Sequence, residues 1–389
     1  MQTERGKTRS IFHRSGLIRG MLLLAVMAAV SIFPTQGNAQ ELLQQTIWHS
    51  NSRIFSFSLN DNGWAVWDTR NGGSPSDRQV YLWDGHSVTS LGLGRDPRIN
   101  NNNWVVWSND DNVLLWQGGG SPQTISGDIG GITPVINNHN QIAWTAIDEL
   151  GNEDIYFLPD SHGTAVNFTG GGTNEEPRIS DNGFLTWELT ELADEGTDNE
   201  HLITNIVGAS IDDPTSLFQI TNRDDQNVLN GGINNSATKV VWAEYNDDKQ
   251  RWDIWQADAN GATDLTENLD INGRNFSFED PNQDDPMVND DGTVVWYAHY
   301  FDSQNNPRED LYWELGSDPS LIPVFQPFLR NSPVAINNTG GLIFASGNGN
   351  VTGFDVILVV PEPGALAAAG ALLTGLVGLR WRRRMAAKR

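Results

Sequence analysis

One pattern of hydrophobic and polar positions recurs seven times along the chain. Residues 99–107 read INNNNWVVW: an aliphatic residue, a run of polar residues, and a hydrophobic stretch that ends on an aromatic residue. Copies of this pattern end at Trp67, Trp107, Trp144, Trp187, Trp242, Trp296 and Phe344, with spacings between 37 and 55 residues. Self-similarity at such a period is typical of propellers and solenoids.

Each copy predicts a β-hairpin followed by two more strands. The polar runs, such as residues 60–63 (NDNG), contain Asn-Gly or Asp-Gly pairs that accept the positive φ angles of tight hairpin turns. A third hydrophobic stretch follows, for example residues 80–83 (VYLW), and then a weaker fourth one, for example residues 87–91 (SVTSL). Four short strands per unit make the blade of a β-propeller. The pattern therefore predicts an all-β fold, a seven-bladed β-propeller of four-stranded antiparallel blades.

The hydrophobic stretches also predict how the blades pack. Residues 104–107 (WVVW) are apolar on both faces of a strand, which suits a sheet covered on either side by a neighbour. We therefore expect the closing aromatic residues to form the core between blades. Solenoids, the alternative, keep a shorter and tighter period.

The two ends of the repeat region predict how the ring closes. The seventh copy has a third strand at residues 354–360 but no fourth, and the stretch at residues 44–49 (QQTIWH) precedes the first copy. We expect this early strand to complete the last blade, because closure removes two open sheet edges. Insertions lengthen blades four to six at residues 188–200, 245–251, 269–285 and 300–309, and they are predicted to be loops on one or both rims.

The N-terminus predicts export. Five basic residues precede the apolar run MLLLAVMAAVSIF, and residues 37–39 (GNA) place small residues at a cleavage site. This is the order of a secretory signal peptide, here residues 1–39, which signal peptidase would remove after Ala39. An uncleaved anchor is the alternative, but the apolar run is short for a bilayer about 30 Å thick.

The C-terminus contains a second predicted targeting signal. Residues 361–363 (PEP) precede the apolar residues 364–379, a predicted transmembrane helix, and the membrane stop cluster behind it comprises Arg380, Arg382, Arg383 and Arg384. This tail, residues 361–389 with the motif Pro361-Glu362-Pro363, resembles the PEP-CTERM sorting signal of Gram-negative bacteria. The resemblance implies transient anchoring in the inner membrane, processing by an exosortase, and a final place at the cell surface or in an exopolysaccharide or biofilm matrix. A plain C-terminal anchor is the alternative.

The propeller itself, predicted at residues 40–360, also carries a resemblance. Its repeats are similar to those of TolB-like propellers and of the Asn-rich extracellular repeats in other PEP-CTERM proteins. That resemblance implies a binding or scaffolding role and transfers no catalytic residue.

Charge and cysteine content narrow the partners. Residues 41–360 hold 13 basic and 47 acidic residues, a formal net charge of −34. A field of this sign repels nucleic acid and anionic membranes and accumulates cations. The chain has no cysteine, so an exported protein of this size must hold together without disulfides.

Two groups of residues are candidates for ligand binding. Trp64, Trp104 and Trp252 fall outside the closing positions and are predicted either to stack on sugar rings or to join the core. Aspartate pairs supply the oxygen ligands that Ca²⁺ prefers, and the preferred calcium candidates are Asp284, Asp285, Asp290 and Asp291. None follows the EF-hand spacing, and Asx turns explain such residues without a metal. No other cofactor is expected.

Catalytic motifs are absent from the sequence. There is no Cys nucleophile, G-x-S-x-G elbow, P-loop or HExxH pair. We therefore predict that the chain is not an enzyme, but an exported protein that binds polysaccharide or a surface protein through rim loops. A polysaccharide hydrolase or lyase that uses a carboxylate pair at the central channel is one alternative. A purely structural biofilm-matrix protein is the other.

Overall fold

The structure is a computed structural model. It describes residues 43–70, 77–110, 112–147, 151–170, 172–197, 199–224, 228–246, 248–249, 251–267, 275–276, 286–301, 307–314, 320–321, 334–347 and 354–360. All of them fall in one compact unit. Apart from a single 3-10 turn at Gly127–Ile129, the secondary structure of these residues is entirely β.

The described strands form seven antiparallel sheets, numbered here in chain order. The first strand, β1 (Leu43–Ser50), belongs to the last sheet. Sheet 1 contains β2 (Ile54–Leu59), β3 (Ala65–Arg70), β4 (Arg78–Trp83) and β5 (Val88–Leu93). Sheet 2 contains β6 (Arg95–Ile99), β7 (Val105–Asn109), β8 (Asn112–Trp116) and β9 (Gln123–Thr124). Sheet 3 contains β10 (Ile132–Ile136), β11 (Ile142–Ile147), β12 (Glu153–Leu158) and β13 (Val166–Asn167).

Sheets 4 to 6 have longer second and third strands than sheets 1 to 3. Sheet 4 contains β14 (Thr173–Ile179), β15 (Phe184–Ala193), β16 (His201–Ser210) and β17 (Asp213–Gln219). Sheet 5 contains β18 (Val228–Ile233), β19 (Val240–Asn246), β20 (Arg251–Asp258) and β21 (Gly261–Asp264). Sheet 6 contains β22 (Asn275–Phe276), β23 (Met287–Val288), β24 (Val294–Phe301), β25 (Pro307–Glu314) and β26 (Ser320–Leu321). Sheet 7 contains β27 (Val334–Ile336), β28 (Leu342–Gly347), β29 (Phe354–Val360) and β1.

These sheets make a β-propeller of four-stranded antiparallel blades, as the repeat pattern predicts. The first strands contact one another in sequence around a central channel, from β2 through β6, β10, β14, β18, β23 and β27 back to β2. Six of the described sheets are four-stranded, and sheet 6 departs from the expectation with five strands. Two separate strands pair along β24: β23 pairs with its first residues, Val294 and Val295, and β22 pairs with its last, Tyr300 and Phe301.

The first strand of the chain completes the last sheet, which confirms the predicted closure. β1 pairs antiparallel with β29, with Gln44 opposite Val359 and His49 opposite Asp355. The His49 Nδ1 atom lies 2.7 Å from Asp355 Oδ1. A ring closed in this way ties the two ends of the repeat region together and leaves neither as an open edge.

The closing aromatic residues form the core between sheets, as predicted. Each lies in its own hydrophobic cluster, packed against the sheet before it. Trp107 of sheet 2, for example, is buried with Val66 and Val80 of sheet 1. The seven are the largest fully buried side chains in the described chain: Trp67, Trp107, Trp144, Trp187, Trp242, Trp296 and Phe344.

Two glycines make room for these indoles. A Cβ atom on Gly94 would lie 2.2 Å from Trp107 Cδ1, and one on Gly131 would lie 2.1 Å from Trp144 Cδ1. Both glycines have positive φ and stand just before the first strand of their sheets. The backbone therefore passes directly over the indole edge, where any side chain would overlap the ring.

A buried asparagine in the hairpin turn links each sheet to the next. Asn60 Oδ1 accepts hydrogen bonds from the backbone N–H groups of Asn62 and Trp64, which closes its own turn. Asn60 Nδ2 donates to the carbonyl oxygen of Asn100 in the following sheet, at 2.9 Å. One side chain therefore both shapes a hairpin and joins two sheets.

The same two roles recur around the ring. The residues that fill them, called here the Asn ring, are Asn60, Asn100, Asn137, Asn289 and Asn337. The last donates from Nδ2 to the carbonyl oxygen of Asn60 at 2.9 Å, which joins residues 277 positions apart. All five are between 3% and 5% exposed. An amide is required at these positions, because a carboxylate has no donor and a hydroxyl is too short to reach both groups.

Sheets 4 and 5 break this pattern. Ser180 replaces the asparagine in sheet 4, and the link to sheet 5 runs instead from the Asp181 backbone N–H to the Asn235 carbonyl oxygen, at 2.9 Å. Asn234 in sheet 5 donates to Thr238 Oγ1 of its own turn. The extra residue in that turn moves its side chain away from the next sheet.

We expect the substitution Asn100→Asp to destabilise the fold by about 2–4 kcal/mol, since it removes the donor to Asn137 and buries a carboxyl group against a carbonyl oxygen. The measurement is thermal unfolding followed by circular dichroism. Asn112→Asp is the matched control, because Asn112 is exposed at the start of β8. Equal melting temperatures for the two variants would contradict a structural role for the ring amides.

Candidate functional site

The two faces of the propeller differ. In each sheet the turn that contains the ring asparagine or its counterpart lies at one end of the channel, and these turns, at residues 60–63, 100–103, 137–140, 180–183, 234–238, 289–292 and 337–340, define the Asn face. Because neighbouring strands are antiparallel, the hairpins between second and third strands lie at the other end. This second end also holds the connections into the first strands, and it is called here the long-loop face.

The three insertions between second and third strands belong to the long-loop face. Those at residues 188–200, 245–251 and 300–309 extend hairpins between second and third strands, and the ten-residue strands β15 and β16 pair along their whole length. The fourth, residues 269–285, connects β21 to sheet 6, and most of it lies outside the described residues. For the first three insertions the expectation of loops on one or both rims narrows to one rim, and it is wrong for residues 188–193 and 245–246, which continue β15 and β19 as strands.

A cavity of about 150 Å³ lies at the channel mouth on the Asn face. All seven sheets contribute to it, and its lining includes the Asn ring together with Arg98 and Arg178. Its polar groups are already engaged: Arg178, 7% exposed, donates to the Gly231 carbonyl oxygen at 2.8 Å and lies 3.2 Å from Glu176 Oε2. The polar groups at this end of the channel therefore serve mainly to hold the sheets together.

A carboxylate pair bridges sheets 3 and 4 on the long-loop face. Glu153 begins β12, Glu175 lies in β14, and their side chains share a hydrogen bond. Burial raises the pKa of Glu175 to about 7, and the charges of Glu153 and Glu176 add to the rise. A carboxyl group that holds its proton near neutral pH beside a second carboxylate is the arrangement that general acid–base chemistry requires.

Other polar pairs, buried or partly buried, hold the outer strands and were missed by the sequence reasoning. Thr169 Oγ1 donates to Asp154 Oδ1 at 3.2 Å and accepts from the Ile155 N–H at 2.9 Å. Thr266 repeats both contacts with Asp253 and Ile254 in sheet 5. The signal was available, because in both sheets an Asp before an aliphatic residue precedes a Thr by 13 to 15 positions.

Asp253 illustrates the electrostatics of these pairs. Burial opposes its ionisation, but hydrogen bonding to Lys249 and the charge of Arg251 hold the pKa of Asp253 below its usual range. The Nζ atom of Lys249 lies 3.0 Å from Asp253 Oδ2. A charge at this depth is therefore compensated locally and is not offered to a ligand.

The three tryptophans proposed for sugar stacking lie against the core. Trp64 packs partly buried against the cluster of Trp107, and Trp104 packs against that of Trp144. Trp252 is 8% exposed and meets Tyr245 edge to face, with ring centroids 5.6 Å apart. The interface between sheets 5 and 6 covers this indole, so little of its face is left for a sugar.

The calcium candidates are only partly described. Asp284 and Asp285 lie outside the described residues. Asp290 belongs to the hydrogen bonds of the Asn face, where its Oδ1 accepts from the Ser236 N–H at 2.9 Å, and Asp291 is exposed beside it. Within the described ranges, no group of three carboxylate or imidazole side chains is placed to hold a metal ion.

The targeting segments lie outside the described residues. This applies to residues 1–39, the motif Pro361-Glu362-Pro363, the apolar residues 364–379 and the arginines that follow them. In the part of the chain that is described, no helix has the length and hydrophobicity to cross a membrane.

Comparison with known proteins identifies the fold. No protein-family model matches the chain, and no curated protein matches its sequence. A puromycin-hydrolysing peptidase of Mycobacterium tuberculosis matches in structure at a TM-score of 0.57 and 14% identity, over 80% of this chain and 52% of the peptidase. The β-propeller domain of the Trilobed protease from Pyrococcus furiosus matches at the same TM-score and 8% identity, over 80% and 94% of the two chains. TolB from Acinetobacter baumannii matches at a TM-score of 0.46 and 16% identity, over 69% and 65%.

These matches correct one expectation. The chain spans about half the length of the peptidase, and at these identities a match shows the fold alone. The prediction that the chain is not an enzyme is wrong. A similar fold occurs within a peptidase, and the fold does not decide whether a chain is an enzyme. The chain is a β-propeller.

Proposed function

We propose that this chain is an exported β-propeller that binds a polysaccharide or a surface protein through its long-loop face. It would act at the cell surface or in an extracellular matrix, after sorting of its C-terminal tail by an exosortase. In this proposal sheet 6 is a blade like the other six, which makes a ring of seven.

One observation carries the proposal: the three insertions between second and third strands extend the same face. Loops that a rigid scaffold holds are the usual place for binding residues, since they vary without cost to the core. The Asn face, by contrast, has its side-chain amides committed to bonds between sheets. A ligand therefore finds adaptable surface at one end of the channel only.

The remaining parts of the proposal rest on sequence. The basic, apolar and small-residue order of residues 1–39 supports export, and the tail at residues 361–389 supports exosortase processing. The absence of cysteine suits a fold that closes its ring by strand pairing and asparagine hydrogen bonds rather than by disulfides.

The proposal is tested by shortening one hairpin on each face. Replacing residues 194–200 at the tip of the β15–β16 hairpin by Asn-Gly should weaken binding to glycans on an array, or to a co-purifying surface protein, by about tenfold. The matched control replaces the exposed residues 117–121 on the Asn face and should leave binding unchanged. If binding survives the first change and is lost after the second, the ligand binds the Asn face and the proposed face is wrong. Failure of the wild-type protein to bind any glycan or protein would refute the proposal.

A second candidate function is cleavage of a polysaccharide by the Glu153–Glu175 pair. The observation that favours it is the protonated Glu175 beside Glu153 on the face that carries the loops. In hydrolysis Glu175 would protonate the leaving oxygen while Glu153 assists the attack of water on the sugar carbon, and the hydrogen bond between the two side chains would have to open, because the carboxyl groups of a glycosidase stand at least about 5 Å apart.

This candidate predicts a pH-dependent activity. Release of reducing ends should fall as the pH rises through about 7, because Glu175 then loses the proton that it donates. The variant Glu175→Gln should release none, whereas Glu191→Gln, which changes an exposed carboxylate of β15, should be as active as the wild type. An active Glu175→Gln protein would exclude the pair.

The same group should affect stability whether or not it is catalytic. Its folded pKa of about 7 lies above the usual 4.5, so the folded state holds a proton that the unfolded chain releases. The resulting stability is complete below pH about 4.5 and is lost as the pH rises through about 7. Glu175→Gln should therefore melt at a higher temperature than the wild type at pH 8 and at the same temperature at pH 4, as measured by calorimetry. A wild-type advantage at pH 8 would contradict the raised pKa.

A further inference from the structure

Three arginines converge on one aromatic ring in sheet 1. The guanidinium carbons of Arg53, Arg70 and Arg78 lie 5.0, 5.4 and 4.5 Å from the centroid of Phe55. Phe55 is the extra residue of a β-bulge in β2, where the register shifts between Ile54 and Ser56. This group of four residues, called here the arginine cluster, lies on the long-loop face, because it occupies the start of β2, the end of β3 and the start of β4.

The three charges lie close enough to repel one another. Since each guanidinium is within 5.4 Å of one centroid, no two can be more than about 10 Å apart, comparable with the screening length of about 8 Å at physiological ionic strength. Attraction to the ring offsets part of this repulsion, at about 0.5–1 kcal/mol for each exposed cation. A ring has only two faces, so three cations cannot all be placed ideally.

Two described carboxylates compensate the charge of Arg78. Arg78 pairs with the buried Asp68 and lies 3.1 Å from Asp96 Oδ1. Arg70 is exposed, and no described carboxylate lies within ion-pair distance of it. An exposed guanidinium beside two others is the arrangement that an incoming anion stabilises through paired, charge-assisted hydrogen bonds.

The position of the cluster contrasts with the charge of the whole chain. Residues 41–360 have a net charge of −34, yet five of their 13 basic residues fall between positions 53 and 98. The insertion at residues 188–200, on the same face, has six acidic residues and no basic one. Between positions 53 and 98 five acidic residues balance the five basic ones, so the long-loop face is less acidic at sheet 1 than at sheet 4, and an anionic ligand is repelled least at sheet 1.

We propose that the arginine cluster binds the carboxylate or sulfate group of an acidic polysaccharide. Arg70 provides the charge-assisted donors, Asp68 and Asp96 hold Arg78 in place, and Phe55 fixes the spacing. The inference rests on the proposed function and deepens it by naming the ligand class. Non-specific electrostatic attraction cannot account for such binding, because the net negative charge of the protein repels polyanions.

The test compares four probes by calorimetry: dextran, dextran sulfate, polygalacturonate and free sodium sulfate. The two acidic polymers should bind and neutral dextran should not, and added salt should weaken the binding, since the attraction is local. Arg70→Gln should weaken it by about tenfold. Lys239→Gln, which removes a positive charge on the Asn face, should not. Arg70→Lys, which keeps the charge, should bind more tightly than Arg70→Gln and confirms the role if the latter fails to fold.

The other outcomes separate the two proposals. Binding of dextran as tight as that of the acidic polymers, or acidic polymer binding that Arg70→Gln leaves unchanged, would overturn the arginine cluster while the long-loop face remains a binding face. Binding of free sulfate without either acidic polymer would overturn the polysaccharide ligand. If the wild-type protein binds neither acidic polymer nor sulfate, the inference is overturned. The hairpin variants, tested on a broader panel of glycans and proteins, then decide the proposed function by themselves.

Discussion

The side-chain amide that starts the hairpin turn and links five of the seven described sheets to the next is the contact on which the ring depends. Its oxygen closes the turn behind it, and its nitrogen reaches the backbone of the next sheet. A propeller has no single core: each sheet is held by its two neighbours, and a hydrophobic interface alone permits sliding. A directional hydrogen bond with buried partners fixes the position of each sheet, because a shift would leave a donor and an acceptor unsatisfied.

These hydrogen bonds between sheets give the two faces of the propeller different roles. At the Asn face the polar groups serve the ring, and the three insertions between second and third strands avoid it. At the long-loop face the strands lengthen freely, as β15 and β16 do, because their outer halves contact no neighbouring turn. The indoles between sheets allow this lengthening of the strands, because they bury only the inner half of the second strand and leave its outer end free.

Unusual electrostatics also gather at the long-loop face. A carboxylic acid with a pKa of about 7 lies there between sheets 3 and 4, and three guanidinium groups surround one phenylalanine in sheet 1. Both arrangements oppose stability, because burial disfavours the ionised carboxyl group and like charges repel. Groups kept in such surroundings are candidates for binding or catalysis, and both are placed where a ligand entering the channel would meet them.

The sequence by itself determined the repeat, the four-stranded units, the inter-sheet aromatic residues and the strand that closes the ring. These depend on local pattern: an Asn-rich turn favours a hairpin wherever it occurs, and an apolar strand must be covered on both faces. Tertiary structure alone decided which residues meet across sheets. The five strands of sheet 6, the covered face of Trp252, the partnership of Glu153 with Glu175 and the convergence on Phe55 all join positions from different strands. No spacing along the chain encodes such meetings, because they depend on the angle between neighbouring sheets and on the bulge in β2.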